Sequence, residues 1–213
     1  MVVSFPTETY GDYAALEAYV VGLLPQDRPF AILGESFSGP LALRIAARRY
    51  KNLAAVILVA SFIAKPVAWV PNFARHILHP LIFRLPIQTP LLRWFLLGRR
   101  PPTAMINDTV TSLQSVDPAV LAGRTKAALE VDATKAFVEC PAPILYLGGT
   151  EDRLISSQTA ERMKALRPNL ECIMLDAPHF LLQRAPIAAA HAITGFLGRL
   201  HPLEATTSGL NQP

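Results

Sequence analysis

Gly34-Glu35-Ser36-Phe37-Ser38-Gly39 follows the apolar run Phe30 to Leu33 and opens the apolar-periodic stretch Leu41 to Ala47. A serine among small residues, where a strand turns into a helix, reads as a nucleophile elbow. The small neighbours matter because so tight and strained a turn holds a side chain only where adjacent backbone and the helix start approach closely. Ser36 then stands exposed above a sheet edge. Taken alone, the same pentad also fits an ordinary serine at a helix N-cap.

Two later segments supply partners for such a serine, in the chain order serine, acid, histidine. The apolar run Pro143 to Gly148 ends in Gly149-Thr150-Glu151-Asp152, which places an aspartate in the loop just after a buried strand. The run Leu170 to Leu175 ends in Asp176-Ala177-Pro178-His179, which places a histidine beyond the next one. A serine hydroxyl is a poor nucleophile until a neutral imidazole takes its proton and a carboxylate fixes the imidazole tautomer. Asp152 also fits a turn or a helix N-cap, and His179 a loop histidine satisfied by backbone. The three positions together, each at the C-terminal end of its own strand, favour a triad of Ser36, Asp152 and His179. Ser38 is a weaker nucleophile because its flanks, Ser36 and Pro40, fit an elbow badly.

The rest of the chain alternates between strand-like and helix-like segments. Val2 to Phe5, Phe30 to Leu33, Leu53 to Ala60, Ile144 to Leu147 and Leu170 to Leu175 read as strands. Asp12 to Leu24, Gly39 to Tyr50, Pro118 to Leu129, Ser156 to Leu166 and Pro186 to Leu200 read as helices. The unbroken apolar run Leu53 to Ala60 is too short for a membrane span and suits a strand buried on both faces. Such alternation predicts an α/β fold with a parallel sheet covered by helices on both sides.

With that elbow, strand pattern and residue order, the chain resembles the α/β-hydrolase superfamily, and within it bacterial hydrolases with a Gly-Glu-Ser-Phe-Ser-Gly elbow. The likeness extends over roughly residues 2 to 200. It implies that Ser36, Asp152 and His179 serve as nucleophile, acid and base. Ser38 departs from the general pattern, which has glycine there. The resemblance further implies that strands normally preceding this chain's first residues are missing, with the loop that donates a second oxyanion-hole amide. The backbone N–H of Phe37 remains as one donor. Losing the other costs on the order of 100- to 1000-fold in turnover. Two ways of filling the gap are expected: Val2 to Phe5 moves beside the elbow strand and brings the Pro6-Thr7 loop, with the Thr7 N–H, to Ser36, or a second subunit pairs with the open edge as a homodimer.

Between the core segments 1–60 and 104–201, residues 61–103 read as an inserted helical cap chopped by prolines, and 202–213 as a polar, mobile tail. Trp69, Phe73, Trp94 and Phe95 are its candidates for a substrate pocket, though the same aromatics also suit plain packing against the sheet. Its charges are Lys65, Arg75, Arg84, Arg93, Arg99 and Arg100, with no acid, which exceeds the formal net charge of +4 for the whole chain. That asymmetry favours an anionic substrate or contact with a membrane surface, unless the charges only solvate an outer face. No nucleic-acid recognition module is visible.

With 51% hydrophobic residues in 213, the chain has material for one core. Met1 leads directly into structure with no secretory signal, and Cys140 and Cys172 read as free thiols, so a cytoplasmic location is expected. No cluster has metal-ligand spacing: His76 and His79 have no carboxylate near, and His191 and His201 look structural. No cofactor is implied. The expected function is a serine hydrolase that cleaves carboxylic esters with lipophilic groups through an acyl-enzyme. A thioesterase would use the same residues, and a shortened, catalytically impaired scaffold serving binding is the alternative of another class. Haloalkane and epoxide chemistry are disfavoured because they need an aspartate at the elbow.

Overall fold

The computed structural model describes residues 1–66, 80–84, 90 and 93–200. Among these residues four strands, β1 (Phe30–Glu35), β2 (Leu53–Val59), β3 (Ile144–Gly149) and β4 (Glu171–Leu175), lie side by side in chain order, every neighbouring pair parallel. Parallel pairing requires crossovers. α2 (Ser38–Ala46) returns the chain from β1 to β2, and α7 (Ser157–Leu166) returns it from β3 to β4. The longer excursion between β2 and β3 holds α3 (Pro80–Arg84), a π-helical turn (Arg93–Leu97), α4 (Thr103–Gln114), α5 (Pro118–Glu130) and α6 (Thr134–Val138). α1 (Tyr13–Val21) precedes the sheet, and α8 (Leu181–Arg184) and α9 (Pro186–Leu200) close the chain.

The period-2 alternation of a strand sends successive side chains to opposite faces, so a strand covered on both sides must be apolar throughout. In β2, Val56 and Leu58 pack with Leu43, Phe137 and Met163 of α2, α6 and α7. Ala55, Ile57 and Val59 pack with Leu181, Ala189 and Phe196 of α8 and α9 on the other face. β3 divides the same way, with Ile144 and Tyr146 on one side and Leu145 and Leu147 on the other. A third cluster joins Leu16, Val20 and Leu24 to Leu41 and Ile45 of α2. Beside it, buried Glu17 pairs with Arg44 and Arg48 at 2.8 and 2.7 Å, so the one acid on the inner side of α1 is compensated. Caps set the helix starts: Asp12, Asp117 and Ser156 accept from the first-turn amides of α1, α5 and α7.

One expected strand is absent. Val2 to Phe5 forms no ladder, and among the described residues β1 pairs with β2 alone. Side-chain packing explains the difference. Val3 and Phe5 pack against the α1–α2 cluster, and the backbone of this stretch is claimed elsewhere: the Tyr19 hydroxyl donates to the Ser4 carbonyl and Arg124 Nη2 to the Pro6 carbonyl. The Thr7 carbonyl accepts the Asp117 N–H at the start of α5. The segment is an extended strap across helices instead of a sheet strand. α4 and the one-turn α6 were not expected from the sequence. The expected helix to Tyr50 stops at Ala46, with Arg49 at φ 57°.

The two cysteines are free thiols, Cys140 buried and Cys172 half-buried. No described helix is long and apolar enough to cross a membrane. The expected tail, together with Trp69, Phe73, His76, His79 and His201, lies outside the described residues.

Candidate active site

The turn from β1 into α2 carries Ser36 at φ 49°, a left-handed conformation that costs a non-glycine residue energy and persists only where surrounding contacts over-determine it. Those contacts can be named. The Ser36 N–H donates to the Val59 carbonyl at 2.9 Å, and the Ser36 carbonyl accepts both the Gly39 N–H at 3.1 Å and the buried Ser61 hydroxyl at 2.7 Å. Glycine is required on both sides of the turn. A Cβ on Gly34 would lie 2.6 Å from the Ser38 carbonyl oxygen, and one on Gly39 2.7 Å from Ser61 Cβ. The Ser38 hydroxyl donates back to the Glu35 carbonyl at 2.8 Å, so it closes the turn. A serine where the general pattern has glycine is therefore a clamp.

Asp152 lies in the loop after β3, its side chain 1% exposed. One carboxylate oxygen accepts the N–H groups of Leu154 and Ile155, both at 2.8 Å, which fixes the plane of the group. The other faces His179 Nδ1 at 2.9 Å. Because a carboxylate only accepts, Nδ1 carries the proton and Nε2 is left as the acceptor for the Ser36 hydroxyl, 2.8 Å away. His179 comes from the loop after β4 and is 2% exposed. Three loops at the C-terminal edge of one parallel sheet thus bring together residues 27 and 143 positions apart.

Phe37 follows Ser36 at the start of α2. Its ring stacks on Tyr13 at 4.8 Å, and its carbonyl accepts the Tyr13 hydroxyl at 2.9 Å. Burial pushes that phenol well above its ordinary pKa, so it stays a donor. The Phe37 N–H, at the positive end of the α2 dipole, donates to no protein group among the described residues. The Thr7 loop is tied to α5 by its carbonyl and does not line the cavity at Ser36.

That cavity has a volume of about 440 Å³, with Phe5, Phe62, Leu121, Leu129 and Ile155 among its walls. Two polar groups in it are incompletely paired: Glu35 Oε1 and Arg124 Nε are buried without a hydrogen-bond partner. Burial raises the Glu35 carboxyl above the usual carboxylate range against the opposing pull of Gln183 and His179. Burial also lowers Arg124. Of the expected pocket aromatics within the described residues, neither Trp94 nor Phe95 lines this cavity. Trp94 stands on a separate one, with Arg153 over its ring at 3.8 Å. Sequence reading missed Ser61, Tyr13 and the clamp made by Ser38. Ser61 carried the only usable signal, its position directly after an apolar strand at the edge where sites collect.

The profile described as the alpha/beta hydrolase family matches residues 4–192. No curated protein matches the chain. Among solved structures it is similar to a thermophilic esterase from Thermogutta terrifontis, with a TM-score of 0.72 and 19% identity over 91% of this chain and 74% of that one. It is also similar to a hydrolase from Pseudomonas aeruginosa PA01, at 0.72 and 22% over 92% and 75% of the two chains. A membrane phospholipase A described as a bacterial virulence factor reaches 0.73 at 18%, over 94% of this chain and 67% of its own. At these identities the likeness is one of fold.

Proposed function

The chain belongs to the alpha/beta hydrolase family, and from that premise we propose that it is a serine hydrolase of carboxylic esters working through an acyl-enzyme. The observation that carries the reading is His179, held between Asp152 at 2.9 Å and Ser36 at 2.8 Å. Ser36 Oγ attacks the ester carbonyl as His179 Nε2 takes its proton, while Asp152 holds Nδ1–H and steadies the imidazolium. The Phe37 N–H, aided by the α2 dipole, receives the developing oxyanion. His179 then returns the proton to the departing alcohol, and water attacking the acyl group repeats the sequence in reverse. The apolar walls around Ser36 support lipophilic acyl or alcohol groups. Of the segment read as a cap, the described residues Phe62 and Pro66 line this cleft.

Hydrolysis of p-nitrophenyl esters from acetate to palmitate, run beside Ser36→Ala, tests the reading. Turnover lost in the variant supports it, and the preferred chain length measures the acyl site. Equal trace rates in both proteins would overturn it in favour of a scaffold that binds without cleaving.

A further inference from the structure

A second cavity, of about 810 Å³, is lined by Pro90, Arg93, Trp94, Gly98, Arg99, Arg100 and Arg153. Its volume is in the range of small-molecule sites. Four of its wall residues are arginines, and no carboxylate among the described residues lines it or pairs with any of the four. All four are exposed, so water and salt screen their mutual repulsion, and an anion entering the space meets positive charge from several sides.

The wall is built and anchored. Arg153 Nη1 donates to the Trp94 carbonyl at 3.1 Å while its guanidinium lies over the Trp94 ring. The Leu96 carbonyl accepts the Phe180 N–H at 2.9 Å, and Pro178 packs on Gly98. The Arg99 carbonyl accepts Arg184 Nη2 at 3.1 Å from α8. Arg100 holds φ 47°, a strained value that clusters at ligand sites. Each anchor is a neighbour of Asp152 or His179, or lies on the helix just beyond, so an occupant would rest against the loops that carry them.

The donor set selects the ligand. A guanidinium fork matches a phosphate or carboxylate with two parallel hydrogen bonds, and one arginine is enough for one carboxylate. Four arginines suit the multiple charges of linked phosphates. Arg153 covers one face of the Trp94 ring, and the ring, 57% exposed, offers its other face for a planar base to stack on. These groups line one open-mouthed concavity of small-molecule size. We propose that this cavity binds a phosphate-bearing small molecule of the nucleotide type, its phosphates held by Arg93, Arg99, Arg100 and Arg153 and its base by Trp94.

The test is titration calorimetry on the whole chain with ADP, inorganic pyrophosphate and vesicles containing phosphatidylglycerol. ADP and pyrophosphate are expected to bind, and the double variant Arg99→Gln/Arg100→Gln to weaken both by about 10-fold or more. Trp94→Ala is expected to weaken ADP about 10-fold and pyrophosphate far less. If the double variant does not fold, the salt dependence of ADP binding by the unaltered chain decides instead: affinity falling steeply with salt supports the proposal, and a flat response overturns it. No binding of either soluble probe at about 1 mM, affinities indifferent to the arginines, or binding to vesicles alone would also overturn it. The titrations need no turnover and are repeated on Ser36→Ala, so they stand or fall apart from ester hydrolysis.

Discussion

Asp152 and Arg153 are adjacent, yet they belong to two regions that use polar groups in opposite ways. In the Ser36–His179–Asp152 corner the capacity for hydrogen bonding is consumed internally. Both Asp152 oxygens and both His179 nitrogens are engaged, and the side chains of these two residues are buried, leaving Ser36 to open on the cavity. Along the rim from Pro90 to Arg100, with Arg153, guanidinium groups face a cavity with no acid among the described residues to meet them. Internal satisfaction fixes geometry, which chemistry needs. Surplus capacity leaves room for something from outside, which binding needs.

Substitutions can break or sharpen this contrast. Ser36→Ala has the largest expected effect, lowering kcat for a p-nitrophenyl ester by roughly 10⁵- to 10⁶-fold. A rate left intact would mean that the corner is only a buried hydrogen-bond network. Asp152→Asn comes next, at about 10⁴-fold in kcat. The amide oxygen can still accept from Leu154 and Ile155, so chemical denaturation should place its stability close to that of the parent, separating the wrong histidine tautomer from misfolding.

Gly39→Ala moves to the packing beneath the corner. It forces a methyl group against Ser61 and is expected to cost about 1–3 kcal/mol of stability, read from urea midpoints. Glu35→Gln should act through pH. Because burial raises the Glu35 carboxyl in the folded chain, wild-type stability falls as pH rises from the ordinary carboxylate value through the raised one. The glutamine variant escapes that loss, so its melting temperature relative to wild type should climb across that window and then level off. A difference independent of pH would place the effect in packing. Arg93→Gln, on the exposed rim, has the smallest expected effect, within about 0.5 kcal/mol in the same urea measurement. A larger loss would show that the rim is as internally committed as the corner.

The same contrast decides what was legible in the sequence. The meeting of Ser36, Asp152 and His179 at one sheet edge was readable because each follows an apolar run too short for a helix and bounded by proline, glycine or polar residues, the mark of a strand. Val2 to Phe5 misled because its apolar residues fit a strand pattern, while the contacts that hold it and the following Pro6-Thr7 come from Tyr19, Arg124 and Asp117, outside the segment. Local pattern carries no record of such partners. α4 carries Met105, Ile106, Val110 and Leu113 at helical spacing, but only Thr109 of it is buried, so no strong apolar face marks it out. The rim was half legible: excess basic charge in 61–103 was plain, but Arg153 lies outside that segment and only folding brings it to Trp94.

The 143 residues between Ser36 and His179 also order events in time. A ribosome adds residues at roughly 5 to 20 per second, so the serine waits on the order of ten to thirty seconds for its partner to be made. Until the histidine after β4 arrives and docks, Ser36 Oγ is an ordinary alcohol. No nascent fragment ending before His179 holds this hydrogen bond, so whatever activation Ser36 draws from it comes only after β4 has joined the sheet.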